Sequence, residues 1–269
     1  MRDDDGVSDP DPLVARLRAA GCVFAEEEAA LLLEAADDQD ALERMVRDRV
    51  AGRPLEHLLG WAELDGRRVA VADGVFVPRQ RTLLLVDLAA GRAPRGGTVV
   101  DLCCGTGALL VAVLARRPDL DGHAADLDPA AVACARTNLA GPGPGRVHEG
   151  DLYDALPPAL RGRVDVLVVN APYVPTAEIA RMPPEARDHE HRLALDGGRD
   201  GLDVHRRVAA GAPAWLAPAG VLLVEVAPAQ VATATGLLVA AGLVPQTVTD
   251  DERGVTALVA TMPAAGAHR

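Results

Sequence analysis

Asn170-Ala171-Pro172-Tyr173 is the stretch of this chain whose residue types are best suited to chemistry. The Asn170 carboxamide oxygen can accept one N–H of a planar –NH2 group, and the Ala171 backbone carbonyl can accept the other. The Tyr173 ring, braced by Pro172, can cover the flat face. An amide nitrogen is a poor nucleophile because its lone pair is delocalised. Holding both hydrogens fixed aims that nitrogen at an electrophile, and positioning alone lowers a barrier by about 7–11 kcal/mol. By itself the tetrapeptide also reads as an ordinary strand-to-loop turn.

A second set of residues supplies a ligand site. Asp101-Leu102-Cys103-Cys104-Gly105-Thr106-Gly107 is a Gly-containing turn between a strand and a helix. Its glycines let a ligand approach the backbone, and the helix N-terminus offers N–H groups. A dinucleotide enzyme carries the full G-x-G-x-x-G. Here Cys103 holds the first Gly position, and Asp101 would repel a pyrophosphate but attract an ammonium group. Asp126 closes the next strand and can accept bonds from both hydroxyls of a ribose. Asp128 reads instead as a helix N-cap ahead of Pro129. Asp151, after the third strand, can accept an adenine amine. Three acids at successive strand ends, with one Gly turn, point to a nucleoside site. His189-Glu190-His191 lacks a metal-ligand spacing, and no metal is expected.

These residues need a frame that brings strand ends together. Five of the six positions from Val164 to Val169 are apolar, as in a parallel strand buried on both faces, and Asn170 and Pro172 stop it. In open α/β sheets ligands sit outside such carboxyl ends. From residue 83 a helix–strand alternation predicts strands at 98–103, 122–126, 146–151, 164–169, 221–226, 243–249 and 255–261. Helices are expected at 83–91, 108–117, 129–139, 203–216 and 229–241. The pattern predicts an α/β domain over 83–269, a mostly parallel sheet with helices on both faces. The Gly-Pro-rich segment 141–145 breaks the chain, and the loop 171–202 is too long to be idle in a compact domain.

Residues 1–10 are expected to form a disordered acidic tail. Residues 11–60 form a helical N-terminal module, with Asp11-Pro12 starting the first helix, Gly21 closing it and Asp40 capping a third. Residues 61–82 change character. Asp65-Gly66 is a hairpin turn signal between alternating strands, so a β-hairpin is expected to link the two domains.

Composition narrows the classes. Hydrophobic residues at 49% with charged residues at 25% are ordinary for a globular protein, while aromatics at 2% leave the core to Ala, Val and Leu. The net charge of −12 argues against extended contact with nucleic-acid phosphates. All 27 basic residues are Arg, which excludes Lys Schiff-base chemistry and a Walker-type loop. The four Cys have no metal spacing and read as reduced, small packing residues. No run is long enough to span a membrane and the acidic start is no signal peptide, so a cytoplasmic location is expected.

The combination DLCCGTGA, AADLD, GDLYDAL, VVNAPYVP and RDHEHRLALDGGRDGLD resembles the HemK-like protein-(glutamine-N5) methyltransferases, which modify peptide chain release factors. The likeness extends upstream through residues 53–82. It implies a Rossmann-like class I fold of seven strands with a small helical N-terminal domain. It also implies S-adenosylmethionine as methyl donor and S-adenosylhomocysteine as product. By position, Cys103, Cys104, Gly105, Thr106 and Gly107 would cradle the methionine part of the donor, with Asp101 beside them. Asp126 would hold the ribose, and Asp151 and Leu152 would flank the adenine. Asn170, Ala171, Pro172 and Tyr173 would receive the glutamine side chain of a release factor. Three departures stand out: Ala171 at the first of the two prolines in the family's Asn-Pro-Pro-Tyr, Cys103 at a loop glycine, and Leu83 at a carboxylate. Methylation of adenine in DNA or of another amide or amine, a non-catalytic donor-binding module and a dehydrogenase are the competing expectations.

Overall fold

The computed structural model describes residues 11–140 and 146–264. The expected acidic tail and the 141–145 loop lie outside those residues. Two compact units divide at residue 60.

The first unit holds helices α1 (Pro12–Ala19), α2 (Ala25–Ala35), α3 (Gln39–Val50) and α4 (Leu55–Leu59). Asp11 accepts from Leu13 N at 2.9 Å, and Pro12 occupies the first turn, where its missing N–H costs nothing. Asp38, not Asp40, caps α3. Its extended backbone lets the carboxylate accept from Ala41 N at 2.7 Å, whereas Asp40 is already inside the first turn. Leu17, Leu32 and Val46 fill the core between α1, α2 and α3. The buried Arg49 forks onto Glu28 with contacts of 2.6 and 3.1 Å, tying α3 to α2.

The second unit begins with the hairpin β1 (Trp61–Leu64) and β2 (Arg67–Ala70). Asp65 and Gly66 both have positive φ, 55° and 67°, as the two-residue turn that matches strand twist requires. The hairpin packs its Ala62, Leu64 and Val69 against Ala108, so it is built into the larger unit.

After α5 (Leu83–Arg92) come β3 (Thr98–Leu102), α6 (Ala108–Arg116), β4 (Asp121–Asp126), α7 (Pro129–Asn138) and β5 (Arg146–Glu149). Then follow β6 (Val164–Val169), α8 (Pro184–His189), α9 (Asp203–Gly211), β7 (Leu216–Val226), α10 (Val231–Ala240), β8 (Val244–Asp250) and β9 (Val255–Thr261). The α9 helix stops at Gly211, short of the expected residue 216, because Pro213 cannot continue the hydrogen-bond ladder.

The seven strands lie in the order β5-β4-β3-β6-β7-β9-β8, parallel except for β9, which runs antiparallel to both neighbours. Side chains alternate across the sheet. Val100, Leu102, Leu167 and Val169 face the core that includes Trp215, Leu238 and Val208. Val99, Val166 and Val168 face the core of Leu85, Leu110 and Ala135. Burial on both faces explains the unbroken apolar runs in β3 and β6. The chain leaves β3 toward β4 on one side and returns to β6 on the other. The carboxyl ends of β3 and β6 therefore border the crevice of a topological switch point.

Candidate functional site

A cavity of about 560 Å³ opens at that switch point. It is lined by Asp101, Cys103, Cys104, Gly105, Thr106, Asp126, Asp151, Leu152, Asn170, Ala171, Pro172 and Tyr173, so one cavity gathers nearly every residue singled out from sequence. Gly107 stands apart. It starts α6 with φ 74°, and a Cβ there would approach Ala135 and Leu139 at 3.2–3.3 Å, so it serves helix packing.

The turn after β3 is held by its neighbours. Gly105 N donates to Asp126 Oδ2 at 2.8 Å, and Asp128 N donates to Asp126 Oδ1 at 2.9 Å. Each Asp126 oxygen keeps a further lone pair for a ligand hydroxyl. Asn138 clamps the turn to the hairpin: it donates to Thr106 O and Ala70 O, both at 2.9 Å, and accepts from Ala70 N at 2.7 Å. Asp128 caps α7 through Ala130 N at 2.9 Å, and its other oxygen meets His191 Nδ1 at 2.5 Å.

Asp101 is 1% exposed, and its Oδ2 has no hydrogen-bond partner. Burial, then the nearby Asp126, holds its carboxyl well above the usual carboxylate range. Burial likewise raises Asp126, against the pull of its backbone hydrogen bonds. Asp151 is half-exposed and accepts from Arg207 at 2.8 Å. The cavity lining carries six acidic side chains, Asp101, Asp126, Asp128, Asp151, Glu185 and Glu190, against three guanidiniums, Arg79, Arg81 and Arg207. Such a site favours a cationic ligand over an anionic one.

Cys103 has φ 58°, the left-handed region where glycine costs least. Burial, then Asp126, pushes its thiol upward, and burial, then Asp101, does the same for Cys104. Both thiols therefore stay protonated and poorly nucleophilic. The pair Cys103→Gly with Cys104→Ala is expected to retain activity within about threefold and to shift stability by less than about 1 kcal/mol, since a relieved backbone offsets lost packing. A loss of most activity under reducing conditions, in protein whose melting is unchanged, would show that a thiol does more than pack.

On the β6 side, Asn170 Nδ2 donates to the Thr82 hydroxyl in a long contact of 3.4 Å, which leaves the carboxamide oxygen available as an acceptor. The Ala171 side chain is buried in the core below. The Tyr173 hydroxyl accepts from Arg81 Nη2 and donates to Glu225 Oε1, both at 3.0 Å. The Tyr173 carbonyl accepts from Gln230 Nε2 at 2.8 Å. The loop 171–202 folds back here. A Cβ on Gly197 would lie 2.7 Å from Pro172 O, and one on Gly201 would lie 2.2 Å from Tyr173 O. Two backbones approach closely enough that only glycine fits. Met182, Pro183, Ala186 and Leu193–Leu195 of the same loop wall the cavity, and Glu190 anchors it through Arg79 Nη2 at 2.5 Å.

Residue type and spacing assign no role to Arg81, Thr82, Arg207 or Glu225. Glu225 was open to notice, as a lone carboxylate inside the apolar run of β7. Among the described residues no group of three or more His, Cys, Asp or Glu could hold a metal ion, and no helix is long and apolar enough to cross a membrane.

Comparison with known proteins places the arrangement. Residues 72–185 match the family described as Methyltransferase small domain. The methyltransferase from Pyrococcus furiosus superposes with a TM-score of 0.53 at 14% identity, over 72% of this chain and 89% of that one, which shows the class I methyltransferase fold. The release factor glutamine methyltransferase of Cereibacter sphaeroides is 42% identical over 81% of this chain and 77% of its own. That of Geobacter sulfurreducens is 35% identical over 80% and 75%. With the strand-end acids and the Asn170–Tyr173 loop in one cavity, this likeness identifies the chain as a member of the release factor glutamine methyltransferase family.

Proposed function

We propose that this protein transfers the methyl group of S-adenosylmethionine to the side-chain amide nitrogen of a glutamine in a peptide chain release factor. The observation that carries this reading is the junction of two half-sites in one cavity, acids at the ends of β3 and β4 beside Asn170 and Tyr173 at the end of β6. When bound, the donor supplies an electrophilic methyl on a sulfonium. The residues present fit it. Asp101 Oδ2, buried and without a partner, suits an ammonium group. Asp126 keeps free lone pairs for two ribose hydroxyls, and Asp151 and Leu152 border the space left for the base.

On the acceptor side, the Asn170 amide nitrogen contacts the Thr82 hydroxyl, and its oxygen receives an N–H of the glutamine amide. The Ala171 carbonyl takes the other N–H, and Tyr173 covers the plane. These groups position and do not remove a proton before transfer: a carboxamide has no useful basicity near neutral pH. Once the nitrogen carries the methyl group, it is acidic enough to release its proton to water.

The raised pKa of Asp101 gives a signed prediction. A ligand ammonium beside it lowers that pKa, so donor binding releases a proton between the lowered and the raised values. Affinity must then rise with pH in that window, at most about tenfold per unit. Calorimetry across a pH series below about pH 7, where an α-amino group already carries its proton, should show net proton release within that window in buffers of different ionisation heat. Asp101→Asn should abolish the release and weaken binding. Proton uptake, or release unchanged in Asp101→Asn, would remove Asp101 from the ammonium site.

Labelled donor added to fractionated cell extract tests the acceptor class. Label is expected in protein; label confined to nucleic acid would mean an exocyclic base amine is the substrate.

A further inference from the structure

Glu225 is the penultimate residue of the apolar strand β7 and is 2% exposed, yet it is a carboxylate. A buried carboxylate needs a cation, and Arg81 supplies it with Nε 3.1 Å from Oε1. The same guanidinium donates through Nη2 to the Tyr173 hydroxyl at 3.0 Å, and that hydroxyl donates to the same Glu225 oxygen at 3.0 Å. The three groups close a ring. A phenol held by one partner can still swing, whereas one held between a donor and an acceptor has its ring plane fixed. Burial, then Glu225, pushes the Tyr173 hydroxyl up to about 12, so it remains a donor across the neutral range. Arg81 also directly precedes Thr82, which orients Asn170. Two consecutive residues thus brace the two side chains at the acceptor end of the cavity.

We propose that Arg81 is a positioning residue, which acts through Tyr173 and Glu225 to hold the Tyr173 ring against the acceptor amide. The inference rests on the proposed methyl transfer to glutamine.

The test uses the full chain and a purified bacterial release factor as acceptor. Arg81→Lys keeps charge but loses the fork. Arg81→Gln combined with Glu225→Gln removes both charges, so no buried carboxylate is left unpaired if Arg81→Lys folds poorly. Each is expected to lower kcat/KM for the acceptor about 10- to 100-fold, the scale of a small misplacement, with donor Kd within about twofold. In a Tyr173→Phe background the double change should add less than about twofold, because the path through the phenol is already cut. Equal effects in both backgrounds, or full transfer by the folded double variant, would overturn the role of Arg81. A wild-type protein that methylates no glutamine would overturn the substrate reading and this role together. An active wild type with additive variants would overturn the role alone.

Discussion

Asn170→Ala is expected to reduce methyl transfer about 10²- to 10³-fold while changing donor affinity less than about threefold. The size follows from what is lost: a fixed acceptor for one amide N–H, on which the aim of a weak nucleophile depends. The selectivity follows from placement. Asn170 directly follows β6 and contacts Thr82, whereas the acids suited to the donor stand near or at the ends of β3 and β4. Asn170→Asp is sharper. It keeps an acceptor oxygen, loses the N–H donated to Thr82 and adds negative charge near the sulfonium. Donor binding should hold or tighten while turnover falls. A faster Asn170→Asp would reveal a carboxylate base and would refute positioning as the source of rate.

Asp126→Ala is expected to weaken donor binding about 10- to 100-fold, since hydrogen bonds to a charged group contribute about 1.5–3 kcal/mol. The variant also strips the acceptor from Gly105 N and Asp128 N, loosening the turn that follows β3. Asp126→Asn separates the two effects. Its amide oxygen still serves one of the two N–H groups, so the turn should hold better while one ribose hydroxyl loses its partner. Calorimetry that finds both variants at wild-type affinity would take Asp126 out of the site.

Some of this site was legible in the chain because local rules and global fold agree. The apolar run Val164–Val169, stopped by Asn170 and Pro172, is the strand–loop junction of β6, and Asp65-Gly66 is the turn of the first hairpin. Asp101 and Asp126 stand near or at strand ends because parallel strands put their carboxyl termini on one edge. Contacts between distant parts of the chain were not legible. Arg81 and Glu225 are 144 positions apart, and Arg207 reaches Asp151 across 56. Nothing in local spacing announces either pair. Gly107 shared its neighbours' motif but turns toward α7, which only the packing of Ala135 and Leu139 reveals. Asp40 offered a plausible cap, yet extended backbone at Asp38 decided the matter. Cys103 reverses the lesson: a residue that breaks the Gly pattern still takes the backbone conformation the pattern serves.

The central claim is methyl transfer to a glutamine amide. Its most direct test is mass spectrometry of a purified bacterial release factor incubated with this protein and S-adenosylmethionine, followed by fragmentation of the modified peptide. The expected result is a gain of one methyl on a glutamine side chain, absent when Asn170→Ala replaces the wild type. A release factor left unmodified by wild-type protein, while another protein, a small amide or a nucleic-acid base takes the methyl group, would contradict it.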